Sequence, residues 1–267
     1  MPADPITLDR TVRAFNTATD SENRIHDDAT ASRFGFTGGL VPGVDVFAYM
    51  QHAPMKCWGR DWLAGGAMQA RFLRPVYDGD AASVSAEGDE DSLRLSLSSL
   101  GALCAVGEAH RLAPARAFDI PPRGVQPPQD QRPKASMASL PVGLEMGYPL
   151  ETYTAEEGRE HLDMVREDAA LFENGALCNP AYLLRRANYI LATNVELGPW
   201  IHTESDIALH RLVRAGEEID IRARVTDNVE HKGHLIVTLA IAALADGEPA
   251  MTGRHVAIYE PRQVREG

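Results

Sequence analysis

Lysine is scarce in this chain. Only Lys56, Lys134 and Lys232 occur among 267 residues, so nearly all of the positive charge is arginine. With 26 basic against 38 acidic side chains the formal net charge is −12. No basic stripe is present of the kind that holds nucleic acid or an anionic membrane surface, so neither partner is expected. Arginine's planar fork suits phosphates and carboxylates at defined points, which leaves room for an anionic small-molecule ligand. Cysteine is nearly as rare. Cys57, Cys104 and Cys178 are widely spaced and form no CxxC pair, which reads as small buried hydrophobes in a reducing compartment rather than a disulfide framework or metal site. No run of 18 apolar residues exists, and Met1 to Asp20 has no apolar core behind a basic start. The expected location is therefore the cytoplasm. Gly-x-Gly-x-x-Gly, a glycine-lysine phosphate loop and Gly-x-Ser-x-Gly are all missing, which removes dinucleotide, NTP and serine-hydrolase chemistry from view. No cofactor is expected.

The length suits one large domain or two small ones. A chain of this size buries about 70% of its unfolded surface on folding and needs no covalent staple. The clearest break in composition is Ala113 to Pro141, where Pro114, Pro121, Pro122, Pro127, Pro128, Pro133 and Pro141 resist helix and central strand alike. The expected organisation is a unit at 1–118, a proline-rich linker at 119–141 and a second unit at 142–267.

Both halves carry the same pattern. In the first, strands are expected at Ala67 to Val76, Ala82 to Glu87, Ser92 to Ser98 and Ala102 to Leu112, with Leu93, Leu95 and Leu97 alternating with Arg94 and Ser96. In the second they are expected at Asp206 to Val213, Ile219 to Val229, Leu235 to Leu244 and Ala250 to Tyr259. Turn residues separate each pair, predicting two antiparallel meanders. Ahead of each meander lies one helix. The first runs from about Gly43 to Trp58 behind Pro42, and the second from about Pro180 to Asn194 with Asn179 as N-cap. Gly79 and Gly216 align the halves at an offset of 137 residues (79 to 216), so the chain reads as two copies of one α+β unit.

The densest polar cluster is Asp20-Ser21-Glu22-Asn23-Arg24-Ile25-His26-Asp27-Asp28. An imidazole among carboxylates can be held in one tautomer and tuned for proton transfer near neutral pH. Behind it, Gly35-Phe36-Thr37-Gly38-Gly39-Leu40-Val41-Pro42-Gly43 leads into the first helix, whose free amides and dipole favour an anion or a developing oxyanion.

Asn23 to Gly43 resembles the signature of the MaoC-like, (R)-specific enoyl-CoA hydratases, whose pattern is approximately D-x-N-P-x-H-x-D, then G-F, an apolar pair and H-G. Asn23, His26 and Asp28 match the N, H and second D; Gly35-Phe36 match G-F; Leu40-Val41-Pro42-Gly43 fall at the apolar pair and H-G. The resemblance implies a double hotdog, an α+β fold in which antiparallel curved sheets each wrap a long helix. It also implies a lyase acting on an enoyl or 3-hydroxyacyl thioester of CoA or an acyl carrier, compatible with a homo-oligomer. His26 would activate water and the Gly43 amide would polarise the thioester carbonyl. The sequence departs from the pattern at Ser21, Arg24 and Pro42, which stand where the family has aspartate, proline and histidine. Because serine is no base unaided, Asp20, Glu22 or Asp28 would supply the carboxylate. Glu22 comes first because it lies four residues before His26.

Asp45, in the first turn of the first helix, offers a different chemistry. Hotdog thioesterases commonly place a carboxylate there, although the helix dipole alone also favours aspartate at that position. A non-catalytic acyl-binding subunit is the third alternative, prompted by Ser21 and Pro42. Asn23, Arg33, Arg71 and Arg74 are candidate substrate contacts. Arg71 and Arg74 point to opposite faces of a regular strand, so both serve only if a bulge intervenes. The second half lacks an equivalent cluster and reads as a structural, substrate-shaping partner. His202 and Glu204, near the start of the second meander, could reach a shared cleft, but they are expected at an exposed strand end.

Overall fold

A computed structural model describes residues 6–18, 37–113 and 118–265. Eleven antiparallel strands form one sheet: β1 (Ile6–Arg13), β2 (Ala67–Phe72), β3 (Ala81–Gly88), β4 (Ser92–Ser99), β5 (Ala102–His110), β6 (Glu145–Gly147), β7 (Glu151–Thr152), β8 (Ile201–Leu209), β9 (Glu218–His231), β10 (His234–Ala245) and β11 (Glu248–Glu260). Their spatial order is β1-β3-β4-β5-β2-β8-β11-β10-β9-β6, with β7 also on β9. The two meanders therefore meet at β2 and β8, which pair from Ala67↔Ala208 to Arg71↔Glu204. This seam removes two open edges at which further strands could add.

The helices are α1 (Gly43–Trp58), α2 (Arg60–Gly65), α3 (Ala155–Met164), α4 (Pro180–Asn194) and α5 (Arg262–Arg265). α1 packs against β2, β3, β4, β5 and β8, and α4 against β6, β9, β10 and β11. Both are buried on nearly every side, as expected of helices at the centre of a core rather than on its surface. On the strand side, Leu93, Leu95 and Leu97 all face that core, following the period-2 pattern.

The offset of 137 recurs in the hydrogen bonding. Val41 N–H donates to Val76 O and Cys178 N–H to Val213 O, each at 2.9 Å. The bridges Leu40↔Tyr77 and Leu177↔Arg214 follow the same spacing. Gly79 and Gly216 both take the positive φ (79° and 100°) that the turn before β3 and β9 requires and that glycine adopts without steric cost.

Several elements depart from the sequence expectation, the short α2, β6 and β7 among them. β1 went unrecognised, as did α3, whose capping box between Thr154 and Glu157 is hidden in a charged stretch. β8 begins at Ile201, five residues before the expected Asp206, which brings His202 and Glu204 into the sheet. The proline-rich stretch, in its described part, packs onto the second unit: Ala135 N–H donates to Glu196 O at 2.9 Å, Glu196 N–H to Pro133 O at 2.8 Å, and Leu140 is fully buried. Proline's fixed φ suits such an extended, packed path as well as it suits a free linker.

Candidate functional site

α1 starts at Gly43 behind Pro42, which has φ −54° and ψ 138° but no side chain able to cap. Pro42 O accepts from the amides of Asp45 (2.9 Å) and Val46 (3.2 Å), whereas the amides of Gly43 and Val44 have no acceptor among the described residues. Such uncapped N–H groups at the positive end of a helix attract an oxygen carrying negative charge. α4 is the counterpart and is closed. Asn179 caps it, its Oδ1 accepting from Ala181 N–H at 2.8 Å and from Gln51 Nε2. Tyr182 and Cys178 are buried around that end, with the His161 ring edge-on to Tyr182 at 5.7 Å.

Two cavities meet at the open end of α1, sharing Pro42, Asn188 and Trp200. The smaller, about 240 Å³, is apolar and includes Leu40, Val46, Phe72, Val76 and Ile258 together with Gly43 and His202. The larger, about 730 Å³, runs along α4 past Arg185, Asn188 and Tyr189 to Trp200, and the proline-rich segment closes it with Asp130 and Arg132. Arg132 Nη1 donates to Ala192 O at 3.0 Å, which fixes that wall on α4. Both volumes are of ligand size, or close to it for the smaller. Arg185 Nε, Asn188 Oδ1 and Arg132 Nε are buried beside the larger cavity without a hydrogen-bond partner among the described residues, and His202 Nδ1 is in the same condition beside the smaller one. Buried polar atoms are seldom left unsatisfied, so their clustering around these cavities favours a ligand with polar groups.

His202 is 7% exposed, which corrects its expected place at an exposed strand end. Its Nδ1 lies 2.7 Å from the point where a Cβ on Gly43 would stand, so this position admits only glycine while the imidazole stays where it is. Nε2 is 2.8 Å from Ser205 Oγ, and Ser205 Oγ is 3.0 Å from His255 Nδ1. The two rings stack at 4.2 Å. Residues three apart on a regular strand face opposite ways, but the register of β8 against β11 shifts between Glu204 and His202, leaving Thr203 as the extra residue. This bulge turns His202 to the side of Ser205. Burial holds both imidazoles neutral: the pKa of His255 is pushed down to about 3, and that of His202 falls well below its ordinary value through burial and then the neighbouring His255.

Of the residues singled out in the sequence, Gly43 lies at the junction just described. His26, Glu22, Asp28, Asp20, Asn23 and Arg33 lie outside the described residues. Asp45 is completely buried and faces away from solvent. One oxygen pairs with Arg185 of α4 and the other accepts from Thr17 Oγ1 at 2.6 Å, while Arg185 Nη2 also donates to Thr17 Oγ1 at 2.9 Å. Arg71 is largely exposed and 3.6 Å from Glu204 across the seam. Leu73 N–H and Arg74 N–H both donate to Cys104 O (2.7 and 3.2 Å), the bulge that lets Arg74 turn to the wall of the smaller cavity. Asn188, Arg185 and Trp200 were missed as site residues, and His202, though a candidate for a shared cleft, is expected from sequence at an exposed strand end, because all four come from the half without a motif.

No known protein family and no curated protein matches the sequence. Solved structures do match in fold. A structure from Chloroflexus aurantiacus assigned to the MaoC domain dehydratases superposes with a TM-score of 0.61 at 11% identity, covering 98% of this chain and 96% of that one. A conserved hypothetical protein of Mycobacterium tuberculosis with a double hotdog fold gives 0.65 at 11% identity, covering 96% of each chain. A tesB protein of Mycobacterium avium subsp. paratuberculosis gives 0.54 at 11% identity, covering 95% and 93%. The chain is thus a double hotdog protein. Within that class it shares its architecture with MaoC-like dehydratases, and at these identities the likeness is one of fold.

Proposed function

We propose that the chain is a hydratase or dehydratase acting on an enoyl or 3-hydroxyacyl thioester carried by CoA or an acyl carrier. The observation that carries this is the end of α1, where the amides of Gly43 and Val44 have no acceptor among the described residues and the two residues line adjoining cavities, at the close of the hydratase-like sequence Asn23 to Gly43. The names of the fold neighbours, dehydratases among them, favour the same class. The thioester carbonyl would rest at the Gly43 amide. His26, with Glu22, Asp28 or Asp20, would take a proton from water as it adds to the double bond and return one to the neighbouring carbon, a contribution of roughly 10²- to 10⁴-fold. An oxyanion donor at Gly43 would contribute on the order of 3 kcal/mol.

Thioester hydrolysis by Asp45 is the second reading, favoured by the fold likeness to the tesB protein. It is weakened by the occupation of both Asp45 oxygens. The test is crotonyl-CoA absorbance beside free thiol release, for the unaltered chain, His26→Ala and Asp45→Asn. Hydration lost in His26→Ala with no thiol release is the expected result. Hydration at full rate in His26→Ala removes the proposal.

A further inference from the structure

The geometry points to His202 as a second oxyanion donor, presenting Nδ1–H beside the Gly43 amide. This rests on the proposed placement of a thioester carbonyl at the end of α1. Ser205 Oγ stands between two ring nitrogens, His202 Nε2 at 2.8 Å and His255 Nδ1 at 3.0 Å. One hydroxyl hydrogen serves only one of them, so Ser205 donates to one ring and accepts from the other. Two arrangements satisfy that condition. If His202 Nε2–H donates to Ser205 and Ser205 donates to His255, the remaining ring hydrogen sits on His255 Nε2. If the chain runs the other way, it sits on His202 Nδ1.

Burial chooses between them. His255 is 0% exposed, faces neither of the two cavities, and its Nε2 has no partner among the described residues. A permanently orphaned N–H is costlier than an idle lone pair. His202 Nδ1 is likewise buried without a partner among the described residues, but its residue lines the smaller cavity beside Gly43, so a ligand oxygen placed there would accept the hydrogen. The favoured chain is therefore His255 Nδ1–H to Ser205 Oγ, Ser205 Oγ–H to His202 Nε2, and His202 Nδ1–H toward the open end of α1.

A ring kept neutral is suited to this work. Burial and the adjacent His255 keep His202 from charging, and the positive end of α1 opposes protonation further. A neutral imidazole donates a hydrogen bond to a developing oxyanion without a net proton transfer, a use of histidine with precedent in other enzymes. Donation from Ser205 to Nε2 fixes both ring orientation and tautomer, leaving Ser205 and His255 as positioning residues.

Nitrogen-15 NMR of the intact chain at neutral pH reads the tautomer without substrate, with His202→Phe or His202→Asn identifying the signal. The expected result is neutral Nδ1–H; an Nε2–H signal overturns the inference. In the crotonyl-CoA assay, His202→Phe is expected to lower kcat about 100-fold with KM changed only a few-fold. His202→Asn, whose amide N–H stands near the lost Nδ1, should recover a substantial part. Full kcat in a folded His202→Phe overturns the donor role. If that variant fails to fold, the tautomer in the unaltered chain decides. An inactive wild-type chain with Nδ1–H would count against the hydratase proposal and not the tautomer, whereas an active one with Nε2–H would count against the donor alone.

Discussion

Pro42 and Asn179 hold the same position in the two repeats and treat the following helix in opposite ways. Asn179 folds its side chain onto Ala181 N–H and closes α4, whereas Pro42 has no side chain to cap with and α1 stays open among the described residues. The asymmetry places the candidate site on one helix of a near-symmetric pair.

Copying the second repeat into the first gives a direct test. In Pro42→Asn the new side chain is expected to cap Val44 N–H as Asn179 caps Ala181. Such a cap contributes about 1 kcal/mol, but loss of proline's restriction on the unfolded chain costs about 0.4–1 kcal/mol. The two nearly cancel, so Tm should stay within about 2–4 °C of the original. Hydration of crotonyl-CoA should fall at least tenfold, because the asparagine oxygen competes for the amides that would bind the thioester. Activity unchanged by this substitution would show that the open end of α1 is not used.

How far the sequence reaches can be seen at the same two helices. Their limits, the cap at Asn179 and the 137-residue spacing all follow from local signals: proline at or before the first turn, an asparagine cap, a turn glycine and apolar periodicity. The relay His202–Ser205–His255 does not. It depends on a bulge at Thr203 that reverses side-chain direction, on pairing of β8 with β11, and on a contact with Gly43 across 159 residues of chain (43 to 202). None of these leaves a periodic trace. The proline-rich stretch misleads differently, since an extended path is legible in composition but the surface it packs against is not.

Three buried imidazoles set the acid limit of stability. His161 and His255 are pushed down to about 3, and His202 lies well below its usual value, burial being the largest cause in each. In the unfolded chain all three titrate near the ordinary 6.5. Between those values the unfolded state binds more protons than the folded one, so stability is intact above about pH 6.5 and is lost as pH falls toward about 3. Urea melts at about pH 5 should show an uptake of about three protons on unfolding from these side chains, each weakening the fold by up to about 1.4 kcal/mol per pH unit. His161→Phe, which lies at the closed end of α4 away from the proposed site, should shift the acid transition to lower pH. A transition unmoved by that substitution would mean that His161 is protonated, or reaches solvent, in the folded chain.

Asp45 and Arg185 tie the two central helices through a pair whose side chains are 0% and 6% exposed. Asp45→Asn leaves the Arg185 guanidinium buried without its counter-charge, and breaking such a pair from one side costs about 3–5 kcal/mol. Replacing both partners with apolar groups, Asp45→Leu with Arg185→Met, removes the unpaired charge along with the pair and should recover most of that loss. A carboxylate serving thioester hydrolysis predicts the reverse: Asp45→Asn would abolish thiol release while leaving urea stability near its original value. Measuring stability and thiol release on the same three proteins therefore separates an aspartate that holds α1 to α4 from one that attacks a substrate, and the closed hydrogen bonding around Asp45 predicts the former.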